Sequence, residues 1–193
     1  MRAEFPIHDF ESAPGTSCKV MEEVEADFGM IPNLERVLAS SPEALTAYAT
    51  LWDLFNQCSL SDVEKQVVYQ TANFENNCTY CVPWHTLLSR NAGMSEENVE
   101  ALRSGRPLRD ERLEALRVFT RSLIEFRGHP GDEAMDKFLA AGFEPGQSLE
   151  VILGLATKLI SNFTNGIAHT PLDSQIQSLE WSKPGDSTGS ESL

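Results

Sequence analysis

Apolar residues that return every three or four positions, in segments opened by Ser, Pro or Asp and closed by Gly, commit this chain to a stack of helices. Leu45, Tyr48, Leu51, Trp52 and Phe55 form one such stripe after Ser41-Pro42, and residues at that spacing share a single helix face. After Asp110, the residues Leu113, Leu116, Phe119, Leu123 and Phe126 make a second, buried face. Leu149, Ile152, Leu153, Ala156, Leu159, Ile160, Phe163 and Ile167 make a third stripe on the last long helix. Start signals are equally regular. Ser61-Asp62-Val63-Glu64 matches a capping box, in which the hydroxyl and the carboxylate each bind a free backbone N–H. Ser17, Ser95 and Ser148 stand where further N-caps are expected. Val67-Val68-Tyr69 is the one β-like run, and its capped helical context outweighs it.

The reading is therefore all-α, an antiparallel helical array of about eight helices joined by short loops. Residues 1–16, with Pro6, Pro14 and Gly15, read as an extended arm lying on the body. Residues 17–175 read as the helical domain and 176–193 as a C-terminal tail, disordered from about residue 183 where Ser, Gly and Pro dominate.

The 193 residues carry 15 basic and 29 acidic side chains, a net charge of −14. Such a surface repels nucleic-acid phosphates and anionic membranes, so neither is expected as a partner. No uninterrupted apolar run reaches the ~18 residues of a membrane span, and Met1-Arg2-Ala3-Glu4-Phe5-Pro6 lacks the apolar core of a signal peptide. These readings place the protein in the cytoplasm. Its four cysteines are too sparse for a disulfide framework. In a reducing compartment a close pair points to catalysis or metal binding. Cys18 and Cys58 are isolated and read as inert packed thiols.

Cys78 and Cys81 are the close pair, within Asn76-Asn77-Cys78-Thr79-Tyr80-Cys81-Val82-Pro83-Trp84-His85. If Thr79 caps a helix running to Asn91, Cys81 lies in its first turn, where free N–H groups and the helix dipole favour a thiolate. Pro83 is tolerated there because its missing N–H is not needed. His85 follows four residues later on the same face and can take the thiol proton, directly or through water. Cys-x-x-Cys spacing at a helix start also permits a disulfide. Oxidation of one thiol to a sulfenic acid, closure by the other and reduction by an external dithiol would complete a cycle. Two other readings stay open. The pair with His85 supplies three of the four ligands of a structural zinc site, although His8, His129 and His169 are distant in sequence. The pair can also be purely structural. Trp84 and Tyr80 flank the thiols, either as core or as walls of a substrate pocket.

The stretch Glu75–His85 resembles the signature of the alkylhydroperoxidase D-like (AhpD-like) proteins of the carboxymuconolactone decarboxylase superfamily. Phe5-Pro6-Ile7-His8, Phe28-Gly29-Met30-Ile31-Pro32-Asn33, Ser161-Asn162-Phe163-Thr164-Asn165 and Thr170-Pro171-Leu172-Asp173 are similar to peroxidase-related members. The resemblance implies an all-helical fold, a homo-oligomer such as a trimer or hexamer, and no metal or organic cofactor. It implies catalytic roles for Cys81 as the thiolate that attacks a hydroperoxide, Cys78 as the more exposed resolving thiol, and His85 in the proton relay. The reductant would be a lipoyl-type or thioredoxin-like thiol partner. Decarboxylase members lack the Cys pair, so lactone decarboxylation is the lesser branch.

The sequence departs from that pattern at one position. A relay Glu is implied twelve residues before the first cysteine, and this chain has Gln66. At about 100° per residue, Glu64 lies about 160° and Glu75 about 180° around the helix from Gln66, so neither replaces it on a straight helix. Glu64 is expected to serve the cap and Glu75 to sit at a solvated helix end. His169, after the Asn162–Asn165 segment, reads as a structural histidine.

Overall fold

Described here over residues 4–185, the computed structural model is all-helical: nine α-helices, one 3₁₀ helix and no strand among those residues. The helices are α1 (Gly15–Phe28), α2 (Asn33–Leu38), α3 (Pro42–Asn56), α4 (Asp62–Glu75), α5 (Cys81–Asn91), α6 (Glu96–Arg103), α7 (Glu111–Glu125), α8 (Asp132–Ala140) and α9 (Pro145–Ala168), with the 3₁₀ turn at Ser174–Leu179. The capping box at Ser61 and Glu64 is formed, and Ser41, Ser95 and Asp110 each cap a helix with their side chains.

Three starts differ from the sequence reading. Helix α1 begins at Gly15, and Ser17 is instead buried with its hydroxyl donating to the Ala39 carbonyl at 2.9 Å. Helix α9 begins at Pro145, capped by Glu144 and Gln147, so Ser148 lies inside it. Helix α5 begins at Cys81 itself, after Tyr80, and Thr79 caps nothing. Proline at the first helical position favours the earlier α9 start, since its φ is already helical.

Helix α4 is central and packs against α5, α7 and α9, while α9 also crosses α3 and α2. One core joins α3, α4, α7, α8 and α9 around Tyr69, Phe119, Phe138 and Val151. There Phe138 stacks between Phe119 and Phe143, each 4.4 Å away by ring centroid. The second core gathers Met21, Leu45, Tyr48, Trp84 and Ile176 around Cys78 and Cys81. Gly154 lets α9 approach α3 and α4 closely: a Cβ there would stand 2.7 Å from the Phe55 ring.

The apolar stripe read on α9 turns outward. Leu149, Leu159, Phe163 and Ile167 are more than half exposed, while the small and polar row Gly154, Lys158, Ser161, Asn162 and Asn165 faces the interior. Periodicity identifies an apolar face but not what covers it. On α7 the same kind of stripe is buried except at its end, where Phe126 is exposed. By length and composition α9 passes for a membrane span, which the absence of an uninterrupted apolar run did not foresee. Its inward row is polar, built around a lysine and two asparagines, and α9 packs against α2, α3, α4 and α5.

The arm docks on α2 through Arg36, whose Nε donates to the His8 carbonyl at 2.7 Å. Past residue 175 the chain remains packed. Ile176 is fully buried, and Trp181 packs on Phe74 while its indole N–H donates to the Arg103 carbonyl at 2.8 Å. Most of the stretch read as disordered from about residue 183 lies outside the described residues.

Candidate active site

Cys78 and Cys81 are joined as a disulfide with Cα atoms 5.3 Å apart. The turn before α5 creates this proximity. Asn77 takes a left-handed conformation, φ 52°, which ends α4 and swings the chain so that Cys78 lies under the N-terminus of α5. Both sulfurs are buried: Cys81 is 2 % and Cys78 5 % exposed, so the more exposed thiol that the resemblance implied at Cys78 is more exposed only slightly.

The two sulfurs have different surroundings. The Cys81 backbone N–H donates to Cys78 Sγ at 3.2 Å. Cys81 Sγ accepts from two side-chain amides on α9, Asn162 Nδ2 at 3.0 Å and Asn165 Nδ2 at 3.3 Å. N–H groups aimed at a sulfur stabilise its thiolate over its thiol. The amides are themselves fixed. Asn162 also donates to Asn73 Oδ1 at 2.9 Å and accepts from Asn76 at 2.9 Å, and Asn73 donates to Gln70 Oε1 at 3.1 Å. Gln70 in turn donates to the Val82 carbonyl at 3.2 Å, tying α4 to the first turn of α5.

A cavity of about 410 Å³ runs from Cys81 to the surface between α1 and α3. Cys81, His85 and Lys158 lie at its buried end, while Trp52, Trp84, Tyr48 and Phe28 contribute aromatic wall. Tyr80 and Trp84 are both wall and structural anchor. Their O–H and indole N–H donate to the Asp173 carboxylate at 2.5 and 2.9 Å, and Asp173 also accepts from the Asn33 backbone N–H at 3.0 Å.

His85 shares the cavity with Cys81, but its nitrogens are engaged elsewhere. Nδ1 lies 2.9 Å from Gln66 Oε1 and Nε2 lies 3.1 Å from Lys158 Nζ. The Gln66 oxygen only accepts, so Nδ1 carries the hydrogen and Nε2 accepts from the lysine. Burial, then the neighbouring Lys158 charge, holds the imidazole neutral, well below its ordinary pKa. His85 therefore bonds Gln66 and Lys158, and of the two transfers expected from the four-residue spacing, direct or through water, neither ring nitrogen is turned to the direct one. The ring is likewise not turned to join the sulfurs around a metal. Among the described residues no three His, Cys, Asp or Glu side chains form a metal-holding group.

Two ionisable residues at the buried end of the cavity had no part in the sequence reading. Burial brings the Lys158 ammonium down to about 7, with Glu35 opposing weakly. Burial also lifts the Glu35 carboxyl to about 8, and its Oε2 has no hydrogen-bond partner. One signal for Lys158 was available: it and Glu150 are the two charged residues of α9. Glu35 gave none, since a Glu in a short helix is ordinarily solvated.

Glu64 and Glu75 lie outside the cavity. Glu64 completes the cap and pairs with Arg112 at 2.7 Å; Glu75 pairs with Arg121 at 3.4 Å. His169 is the exposed, left-handed C-cap of α9. Cys18 and Cys58 are free and half-buried rather than packed away.

Residues 42–120 match the profile of the carboxymuconolactone decarboxylase family. Solved structures share the whole fold. An uncharacterized peroxidase-related protein from Silicibacter sp. TM1040 superposes with a TM-score of 0.75 at 18 % identity, over 90 % of this chain and 92 % of that one. The alkylhydroperoxidase AhpD core of a peroxidase-related protein from Ralstonia eutropha JMP134 gives 0.73 at 15 %, over 90 % and 93 %. The chain has the AhpD-like fold and, over residues 42–120, carries the carboxymuconolactone decarboxylase profile. The debrominase Bmp8, solved with 2,3,4-tribromopyrrole, also has this fold, with a TM-score of 0.75 at 14 % identity over 92 % of this chain and 96 % of its own. Among curated proteins no sequence matches.

Gln66 bonds to His85 without being able to ionise. Gln66→Glu would place a carboxylate on His85 Nδ1–H and favour the imidazolium, raising the pKa of His85. The pH profile of thiol oxidation is then expected to shift toward alkaline pH. An unchanged profile would remove position 66 from the proton path.

Proposed function

We propose that this protein is a cytoplasmic thiol-dependent peroxidase in which Cys81 and Cys78 are the redox pair and His85 serves the proton relay through Lys158. The observation that carries this is the placement of Cys81: paired with Cys78, held by two amide N–H groups, and facing a cavity that reaches solvent. In the reduced protein the Cys81 thiolate attacks the distal oxygen of a hydroperoxide. The O–O bond breaks, Cys81 becomes a sulfenic acid, and the alkoxide takes a proton from the Lys158 ammonium. Cys78 then attacks the Cys81 sulfur, expels water and closes the disulfide. Two electrons have passed from the dithiol to the hydroperoxide. A lipoyl-type or thioredoxin-like thiol restores the pair, approaching over exposed Asn76, Asn77 and Thr79. Lys158, half-protonated near pH 7, suits both proton acceptance from Cys81 and donation to the leaving oxygen; neutral His85 holds its amine in place. The outward apolar row of α9 supports a homo-oligomer, trimer or hexamer, in which copies of this chain cover it.

Intact mass tests the proposal. Reduced protein treated with cumene hydroperoxide is expected to lose about 2 Da, confined to the peptide holding Cys78 and Cys81, because disulfide closure removes two hydrogens. Protein that keeps both thiols under this treatment counts against it.

The aromatic wall of the cavity favours one second reading, reductive removal of halogen from an aromatic ring, the reaction named for Bmp8. There the ring carbon gains a proton, Cys81 takes the halogen, and Cys78 displaces halide as the disulfide forms. Halide release from a bromopyrrole, with no thiol loss to hydroperoxides, would favour it.

A further inference from the structure

The cavity is far larger than hydrogen peroxide requires. At about 410 Å³ it exceeds the ~30 Å³ share of one water molecule about tenfold and falls in the size range of sites for small organic ligands. Its two ends differ in charge. The buried end holds Cys81, Lys158 and Glu35; the solvent end is lined by the exposed carboxylates Glu23, Asp27 and Asp53. Glu23 faces Lys19 at 3.8 Å, while Asp27 and Asp53 have no ion-pair partner among the described residues. Lys158 is the one cationic residue lining the cavity.

This arrangement fixes how a substrate must lie. Its O–O group has to reach Cys81, so the remainder passes between the aromatic walls and its far end meets Asp27 and Asp53. We propose that the cavity selects uncharged, ring-sized organic hydroperoxides, with Asp27 and Asp53 rejecting substrates that carry a carboxylate at the far end and Glu35 Oε2 binding the oxygen end. The oxygen contact rests on that atom being buried with no partner in the protein; a carboxyl kept neutral by burial can donate to a substrate oxygen. The rejection rests on like charge. Two uncompensated carboxylates within a few ångströms of a third, beside a low-dielectric wall, disfavour it by about tenfold, and salt weakens the effect.

This specificity rests on the proposed peroxidase reading, and binding to the oxidised protein separates the two. The disulfide form cannot react with peroxide, yet its cavity is present. The para-carboxamide and the para-carboxylate of cumyl alcohol, the alcohols left by a neutral and an anionic hydroperoxide of equal size, are titrated against it by tryptophan fluorescence. The neutral alcohol is expected to bind about tenfold tighter at low ionic strength. In Asp27→Asn/Asp53→Asn the gap is expected to close through tighter binding of the carboxylate, and Glu35→Ala is expected to weaken the neutral alcohol. Equal or tighter binding of the carboxylate by the wild type, a gap that the double variant leaves intact, or no binding of either alcohol overturns the proposal. None of these outcomes depends on whether the reduced thiols react with peroxide, which the mass measurement decides alone.

Discussion

Cys81→Ser is expected to lower thiol-dependent hydroperoxide consumption by about 10³-fold or more, because a hydroxyl in the same place is not ionised near neutral pH and cannot accept oxygen and pass it on as a disulfide. The Cys78 thiol that remains is buried and does not line the cavity, so it is not expected to take over. Cys78→Ser should behave differently. Cys81 would still be oxidised, but with no partner thiol the sulfenic acid would persist, and a dimedone-type trap should label residue 81. The contrast between the variants carries the test, since loss of activity alone would follow from loss of either thiol. The rates are read from reduced protein under stopped flow, and the sites from peptide masses. Labelling of Cys78 in Cys81→Ser at the rate at which Cys81 is labelled in Cys78→Ser would exchange the two roles. Two opposing local effects make the outcome informative. The α5 terminus presents the Cys81 N–H to Cys78 at 3.2 Å, whereas the α9 amides present two N–H groups to Cys81. The cavity breaks the tie in favour of Cys81.

Three of the four flanking segments that carried the family resemblance join the cysteine stretch in one object. Asn162 and Asn165 bind Cys81 Sγ; Asp173 binds Tyr80 and Trp84; Asn33 joins that acid from α2. Local signals were enough for helices whose caps are side chains, at Ser41, Ser61, Ser95 and Asp110. They misplaced helices that begin without a local side-chain cap in the expected residue, and α5 is the consequential case. What the sequence could not carry was the orientation of α9. Its strongest apolar row points outward, so the inward row had to be small and polar, and Lys158 with both asparagines went unread as site residues. Spacing likewise put His85 and Cys81 on one helix face but could not show that Gln66 and Lys158, from two other helices, occupy the ring. Such partners are set by tertiary packing across 19 and 73 residues of sequence.

Lys158→Met is expected to slow thiol oxidation by about 10²-fold near pH 7, the lower range for loss of a positioned acid or base. It is also expected to make the protein more stable at that pH. A lysine whose folded pKa is about 7 but whose ordinary value is 10.5 gains a proton on unfolding at any pH between the two. Its contribution to stability is therefore full above pH 10.5, and is lost progressively as pH falls through the folded value near 7. Methionine fills a similar volume and has no such dependence. Relative to wild type, Lys158→Met should thus gain on the order of a few kcal/mol at pH 6, and that gain should shrink toward zero by pH 10.5. Leaving His85 Nε2 without its donor offsets part of the gain at every pH, as a constant displacement of the curve. Glu35 works with the opposite sign: its raised carboxyl stabilises most below about 4.5, and that contribution disappears as pH rises through about 8. Most of it cancels when variant and wild type are compared at each pH. Denaturant unfolding at pH 6, 8 and 10 measures the difference. A lysine that merely fills space would give a difference independent of pH, and slow oxidation together with a flat difference curve would leave Lys158 needed for shape but not for protons. A falling curve with a slow variant would show that the chain keeps a destabilising buried amine at its reaction site because the chemistry there uses its proton.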